Sequence, residues 1–557
     1  MAFCPPGPGA AAMTADPAAV RRPWRVLMRR LGLLAVFLLT LLLAYLRNPF
    51  AVDLPTMYAE DGIWTALIYR EGALAAYLHA RPDYFTVGNI LILHLAILIN
   101  GLFHGVTEVD HLPATIGWVS YGFFAAVSFY PLLALRAYLP LAARVGLVLL
   151  FALLPFGVIA AEVWGRALNA GYAFLAVAVL TGLWQMALPR RSGFDGRVLW
   201  LDLLLLLCCA TNPIAIAVTS VLLAGRLIRG LSGGHPRVHG NDLLLVLGLL
   251  LLTIPTVSGV LAAPRPDHDQ ALTLAGFLAA GVARPLLYPL VFPFYSQLTH
   301  GLVLGLTLLL GLFLAAGGRR LHGPDRRGYI LTVGTLLLAS IATAVQRPML
   351  QQSLAGYVHS HPDRYFHAQN LLLLLAVVWA GVALIRTGRD WERRIGVLVL
   401  AALAATMLLN LRTILFTVDV PCPAVARGFH DQLRAAEPVP GQPDLMAVPI
   451  CPDRWRAPYP TALRPPLAAA DFSDGNWRRG VWARVDAPAA GFFINDRESA
   501  GTIGPGTRLR LGSGTVRTVR AVENNRLWLD GPPLDPDRDG YPAPVRILEQ
   551  SGERSGS

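Results

Sequence analysis

The stretch Met57-Tyr58-Ala59-Glu60-Asp61-Gly62-Ile63-Trp64 sets two adjacent carboxylates directly after the first long apolar run of the chain. Carboxylates at a membrane edge are costly unless they are hydrated, paired or used, so an acidic pair there is a functional-site candidate. Glu60 and Asp61 are expected to be catalytic. On one helix, adjacent residues point about 100° apart and could not grip the same atom from one face. Asp61 is therefore expected at a loop-to-helix junction, with Gly62 allowing a ligand to come close. The plainer alternative makes Asp61 the N-cap of a helix over residues 62–79.

A second set of polar residues is Arg347-Pro348, followed by His359-Ser360-His361-Pro362-Asp363-Arg364-Tyr365-Phe366-His367. Arginine suits phosphate because its planar fork donates two parallel hydrogen bonds and stays charged. Arg364, Tyr365, His361 and Arg347 are the expected contacts to such a group; the alternative is a membrane-edge anchor of Arg, Tyr and His residues. Two histidines at i, i+2 converge on a metal only in an extended segment, which disfavours a zinc site. Arg81, in Arg81-Pro82-Asp83-Tyr84, and Arg166, in a short loop with Glu162, Trp164 and Asn169, are further candidate substrate contacts.

These side chains need a scaffold, and composition says which kind. A chain of 557 residues that is 54% hydrophobic and 15% charged is too apolar for a soluble domain and reads as a polytopic membrane protein. Its net charge of +12 suggests nucleic acid only until the arginines are located, since most lie in short loops between apolar segments, where they set topology. Nucleic acid is therefore not an expected partner; a lipid bilayer is.

About ten spans are expected, the first a retained helix from about Leu31 and the others near 112–135, 145–161, 170–188, 243–262, 298–316, 329–347, 368–385 and 395–418. Between them, 198–227 is interrupted by Thr211-Asn212-Pro213, where proline removes a donor and pushes its predecessor out of helix, so two half-length helices are expected to form a hairpin. Ile63, Leu67, Leu74 and Leu78 recur at near-helical spacing and suggest a helix lying in the interface. Placing the N-terminal tail and alternate loops in the cytoplasm puts 21 arginines there and 8 opposite, provided the Phe85–Phe103 run is interfacial or re-entrant and does not cross.

The resulting organisation has a disordered cytoplasmic tail over 1–24 and a membrane domain over 25–418, with 47–111 as the first extracytoplasmic loop. A Pro-rich linker over 419–470, a β-rich extracytoplasmic module over 471–549 and a short tail over 550–557 follow. The alternation Thr515-Val516-Arg517-Thr518-Val519-Arg520-Ala521-Val522, the Asn524-Asn525 turn and Arg526-Leu527-Trp528-Leu529 read as a hairpin in a small β-sandwich or barrel. Cys422 and Cys451 both fall in the exported part, where an oxidising compartment allows a disulfide between them.

An acidic pair soon after the first span, an interfacial helix in the same loop, proline-interrupted half helices and a late Arg-Tyr loop together resemble the GT-C superfamily of membrane glycosyltransferases. That superfamily includes protein O-mannosyltransferases and bacterial lipid A arabinosyl- and polymer-modifying transferases. The likeness covers residues 25–418 and is carried by Tyr58-Ala59-Glu60-Asp61-Gly62 and Asp363-Arg364-Tyr365-Phe366. The chain offers Glu-Asp where better-known mannosyltransferases offer Asp-Glu, which leaves the principal carboxylate open between Glu60 and Asp61. In the tail, Asp471-Phe472-Ser473-Asp474-Gly475-Asn476-Trp477 and Gly491-Phe492-Phe493 resemble a β-rich module found beside bacterial surface-polysaccharide proteins.

The resemblance implies inverting transfer of a sugar from a polyprenyl-phosphate donor to a glycan, lipid or protein acceptor on the outer face of a bacterial inner membrane, with Asp61 as the base and Glu60 as its supporting partner or as a ligand for a divalent metal, Mg or Mn. The alternative from another class is a non-catalytic assembly partner, or a transporter, for surface polysaccharide.

Overall fold

The computed structural model describes residues 17–81, 84–105, 109–156, 160–188, 195–231, 240–262, 273–347, 349–358, 361–416, 429–434, 436–452, 455–463, 481–484, 491–494, 504–510, 515–523, 526–531 and 543–549. The chain divides into two compact units. The first comprises Met1–Pro49, Tyr77–Leu95 and Ile116–Asp419; the second comprises Phe50–Ala76, Ala96–Thr115 and Val420–Ser557.

In chain order the main helices begin with α1 (Pro17–Arg47), α2 (Ala59–Glu71), α3 (Ala73–His79), α4 (Val87–His104), α5 (Leu112–Ala134) and α6 (Leu141–Ala152). They continue with α7 (Ala160–Val163), α8 (Ala170–Ala187), α9 (Gly196–Cys209), α10 (Pro213–Leu231) and α11 (Gly240–Ala262). A mixed stretch, α12 (Leu274–Gln297), contains a π-helical segment over Leu278–Leu287. Then come α13 (His300–Arg319), α14 (Gly323–Gln346), α15 (His367–Thr387), α16 (Asp390–Leu409) and α17 (Leu411–Phe416).

Nine helices among the described residues are long and apolar enough to cross a membrane, so the protein is a multi-pass helical membrane protein. Their identities differ from expectation in four places. The 85–103 run forms one unbroken 18-residue helix, α4, that meets the same criterion as the other candidates. The 263–297 stretch, expected as an outside loop, supplies another candidate, α12, because Pro285 and Pro293 fall where π and 3-10 winding already release the regular hydrogen bonds and Pro289 stands at the start of a short α-helical turn, where its missing N–H costs little. Conversely, the expected span at 145–161 is only the 12-residue α6, and the one expected at 395–418 falls on α16 and α17, neither of which is among the nine candidates.

The core of the first unit is α15, 94% of whose candidate span is buried. Its sequence is apolar all round after Asn370, which suits a helix enclosed by others on every side. It packs against α13, α14, α16, α8 and α6. The α13 approach is close: a Cβ on Gly317 would lie 2.6 Å from the Ala380 Cα, so only glycine permits that spacing. The two polar groups near the start of α15 are spent on neighbours. Gln369 donates to the Thr343 hydroxyl at 2.9 Å, and the Asn370 amide nitrogen donates to the Arg284 and Pro285 carbonyls, at 3.1 and 3.2 Å, within the π-helical segment.

The expected break between half helices is present. α9 ends at Cys209 and α10 starts on Pro213 at its first position, where a missing N–H costs nothing. Asn212 accepts from the Ile214 N–H at 3.1 Å, as an N-cap does. Thr211 accepts from the Gly88 N–H at 2.8 Å, so the start of α4 is seated on this break. At the other end of the hairpin, Arg226 bonds Asp202 at 2.9 Å and Asp242 at 3.4 Å, while Gln185 donates to Asp202 at 2.9 Å. This buried network joins α8, α9, α10 and α11.

The second unit holds a three-stranded antiparallel sheet in the order β1 (Glu437–Val439), β2 (Gln442–Ile450), β3 (Trp455–Pro460), lying within the stretch expected as a linker. Beyond it, β4 (Val481–Arg484), β5 (Gly491–Ile494), β6 (Arg508–Arg510), β7 (Val516–Glu523), β8 (Arg526–Leu529) and β9 (Ala543–Glu549) close into a barrel in the order β4-β5-β8-β7-β6-β9. The β7–β8 pair read from the sequence is antiparallel and forms part of this barrel.

Candidate functional site

The acidic motif belongs to the second unit, and the first turn of α2 explains how it is held. The N-cap is Tyr58 in extended conformation, so Glu60 and Asp61 both lie inside the first turn and Asp61 is not the cap. Two carboxylates there complement the partial positive charge of the helix N-terminus. Ala59 enters the helix at φ +41, a left-handed conformation that a residue with a Cβ adopts only under constraint. The constraint is Cys451: its N–H donates to the Met57 carbonyl at 2.9 Å, and its carbonyl accepts from the Ala59 N–H.

Helix α2 then lies along β3. A Cβ on Gly62 would meet the Ile450 Cδ1 at 2.9 Å, so the glycine expected to admit a ligand instead admits the end of β2. Asp61 exposes only 2% of its surface and Glu60 is half-buried. The Asp61 carbonyl accepts from the Thr65 hydroxyl one turn on. Across from this turn stands Tyr459 of β3, fully buried and edge-on to Phe429 at 5.6 Å. Burial pushes its phenol well above the ordinary range, helped by the negative fields of Tyr69 and Asp61, with the Thr65 hydroxyl acting the other way. Burial likewise raises Tyr69 to about 12. Nothing in the spacing of the motif pointed to Tyr459; its only signal was an aromatic residue alternating with prolines in Ala457-Pro458-Tyr459-Pro460.

The arginine cluster belongs to the first unit. A 3-10 turn over His361–Phe366 leads into α15 and presents Arg364, which donates to the Glu162 carboxylate at 2.8 Å and to the Tyr365 hydroxyl at 3.3 Å. Arg347 lies over the Tyr365 ring at 4.3 Å, and Tyr172 of α8 meets that ring edge-on at 5.3 Å. Tyr84, Arg347 and Arg364 all come within electrostatic reach of the Tyr172 hydroxyl. Arg81 in turn lies over the Tyr84 ring at 4.8 Å. Four of the expected substrate contacts, Arg81, Arg347, Arg364 and Tyr365, are thus linked through Tyr84 and Tyr172.

Arg166, in the loop that carries Glu162, is buried at 2% exposure, and Asn169 fastens that loop by donating to the Glu162 carbonyl. Asn89 of α4 donates to the Ala167 and Leu168 carbonyls, both at 2.7 Å. Tyr172 was hidden because a tyrosine at the end of an apolar run looks like an interfacial anchor. Glu162 gives no signal in the sequence beyond its place in the short loop with Arg166.

Next to this cluster is a buried group that the sequence did not announce. Arg47, at the end of α1, donates to the Ala152 carbonyl at 2.8 Å and to the Leu154 carbonyl, closing the end of α6 with positive charge. Its guanidinium stacks on Trp164 at 4.4 Å, and His367 stands 4.9 Å from Phe156, which Arg47 also approaches.

The His361 side chain, His359, Cys422, residues 263–272, Asp471–Trp477 and 532–542 lie outside what is described. Cys451 is disulfide-bonded, whereas Cys208 and Cys209 are free and buried. Among the described residues no group of three or more His, Cys, Asp or Glu side chains is placed to hold a metal ion.

The fold and these clusters define a class: a polytopic helical membrane protein with small antiparallel sheets near its C-terminus. No family model matches the chain, and no curated protein matches it either.

Proposed function

We propose that the protein is a membrane glycosyltransferase of the GT-C kind, transferring a sugar from a polyprenyl-phosphate donor to a cell-envelope glycan, lipid or protein on the extracytoplasmic face of a bacterial inner membrane. The observation that carries this reading is the gathering of Arg364, Arg347, Arg81, Tyr365 and Tyr172 in one half-buried cluster. Two arginines beside phenol hydroxyls offer the directed positive charge that a departing phosphate needs. Arg364 is the proposed phosphate ligand, and Glu162 holds its guanidinium until donor arrives. Asp61 is the proposed base for the acceptor hydroxyl in an inverting, oxocarbenium-like displacement, with Glu60 as its partner or as a ligand for Mg or Mn.

The non-catalytic alternative has an observation of its own. Asp61 is 2% exposed and seated beside Tyr459, so it could serve only to hold α2 on the sheet of a polysaccharide assembly partner. Asp61→Asn, Glu60→Gln and Arg364→Gln, each in cells whose surface glycans are profiled by mass spectrometry with protein level checked, separate the two. Loss of one glycan at normal protein level supports the transferase. Unchanged glycans in all three variants refute it.

A further inference from the structure

The transfer reaction makes no use of the cation at the end of α1. Arg47 is fully buried, and both of its terminal nitrogens donate to backbone, one to the Ala152 carbonyl at 2.8 Å and the other to the Leu154 carbonyl. Among the described residues its Nε–H meets no acceptor and no carboxylate pairs with it. The carbonyl end of α6 supplies about half an elementary negative charge, and the faces of Trp164 and Phe156, 4.4 and 5.4 Å from the guanidinium, add a weaker attraction. The remaining cost of desolvating the charge is left for a negative group to cancel.

Two more nitrogens of the same cluster are unmatched. Trp164 has no acceptor for its Nε1–H, and His367 has no partner at Nδ1, among the described residues. The two ring centres are 6.5 Å apart, and Phe156 stands 6.1 Å from the first and 4.9 Å from the second, edge-on to both. Arg47 is within electrostatic reach of the His367 ring. Phe124 closes another side, 4.9 Å from Trp164 and 5.7 Å from His367, and Asn48 fixes the loop that carries the indole by donating to the Trp164 carbonyl at 2.7 Å. Each buried donor without an acceptor is costly, and one anion can accept from all three. Aromatic edges carry partial positive charge and suit the same sign. Burial sets the size: none of Arg47, Phe124, Phe156, Trp164 and His367 exposes more than 2% of its surface, which suits a monatomic ion and shuts out a sugar or lipid phosphate.

We propose that the Arg47 Nε–H, the Trp164 Nε1–H and the His367 Nδ1–H together bind one halide ion, chloride in the cell, where α1, α15 and the loop after α7 meet. His367 takes part as a neutral ring with its proton on Nδ1. This inference stands apart from the proposed sugar transfer, because Glu60, Asp61 and Arg364 take no part in it.

The test follows chloride directly. Full-length protein in phosphatidylcholine nanodiscs, dialysed into gluconate, is equilibrated with radiolabelled chloride, and the retained ion is counted against protein. Saturation at one chloride per chain, displaced by bromide and not by phosphate at equal ionic strength, is the expected result. Substituting Arg47 threatens the fold, so the deciding variants are Trp164→Phe and His367→Phe, which keep an aromatic ring and remove one N–H each; melting in gluconate checks that they fold. Each is expected to weaken chloride binding about tenfold or more, the worth of one hydrogen bond to a charged acceptor. Absence of saturable chloride overturns the proposal. Saturable binding at unchanged affinity in both variants overturns it as well, because the ion then sits elsewhere. Displacement by phosphate as readily as by bromide reveals a site open to polyatomic anions and also overturns it.

Discussion

If Arg364 is the phosphate ligand and Glu162 its resting partner, the two side chains must be coupled in the empty protein. The Arg364–Glu162 contact is 2.8 Å, and the side chains keep 29% and 17% of their surface exposed. At that separation the gross attraction is about 6 kcal/mol for an effective dielectric near 20. Water at the partly open side screens it, and the net coupling expected between a surface pair and a buried one is about 1–2 kcal/mol. Glu162→Gln, Arg364→Gln and the double variant, melted in nanodiscs, measure this directly. Each single change is expected to lower Tm by about 1 °C per kcal/mol lost in a chain of this length, and the double change by little more than the worse single. The functional arm separates holding from binding. Glu162→Gln keeps the proposed transfer, because the fork remains charged and in place on Tyr365, whereas Arg364→Gln loses it and is not rescued by the second substitution. Additive Tm losses would show that the pair is not coupled, and full glycan production by Arg364→Gln would remove the anion site from this cluster.

Three further outcomes follow from the second unit. Gly62→Ala drives a Cβ to 2.9 Å from Ile450 Cδ1, so it is expected to destabilise by about 1–3 kcal/mol despite the helix propensity of alanine, and Ile450→Val is expected to recover part of that loss; a stabilised Gly62→Ala protein would mean that α2 is not seated on β2. The Tyr69 phenol is raised to about 12, above its unfolded value near 10, so its contribution is complete below about pH 10 and is lost as pH climbs toward the folded value. Melting between pH 9 and about 11.5 should show this decline and Tyr69→Phe should flatten it; an unchanged slope in the variant counts against the assignment. Non-reducing peptide mapping is expected to recover Cys451 linked to Cys422, and recovery of Cys451 joined elsewhere or as a free thiol excludes that pairing.

The sequence carried the scaffold better than the site. Apolar runs, the Thr211-Asn212-Pro213 break and the β7–β8 alternation are local signals, and each corresponds to an element that the structure contains. Crossing was harder to read, because α4 and α12 look alike in hydropathy whether they lie along a membrane or pass through it. Arg364, Tyr365 and Arg347 were legible as a cluster since they are near in sequence. Tyr172 and Glu162 were not, because they reach Tyr365 and Arg364 across 193 and 202 residues and depend on helix packing that no local pattern encodes. Tyr459 was further hidden in a proline-rich stretch that reads as a linker but folds as a sheet edge beside α2.

The backbone bridge between Met57-Ala59 and Cys451 has a consequence for biosynthesis. Residue 61 leaves the ribosome 390 residues before residue 451, which at ordinary elongation rates is a wait of roughly 20–80 s. During that interval the Tyr58–Asp61 corner has no partner to hold Ala59 in its unusual conformation. The acidic turn therefore takes its final shape only when the last quarter of the polypeptide is delivered, and a chain truncated before Cys451 is left with every membrane helix made and that turn unfinished.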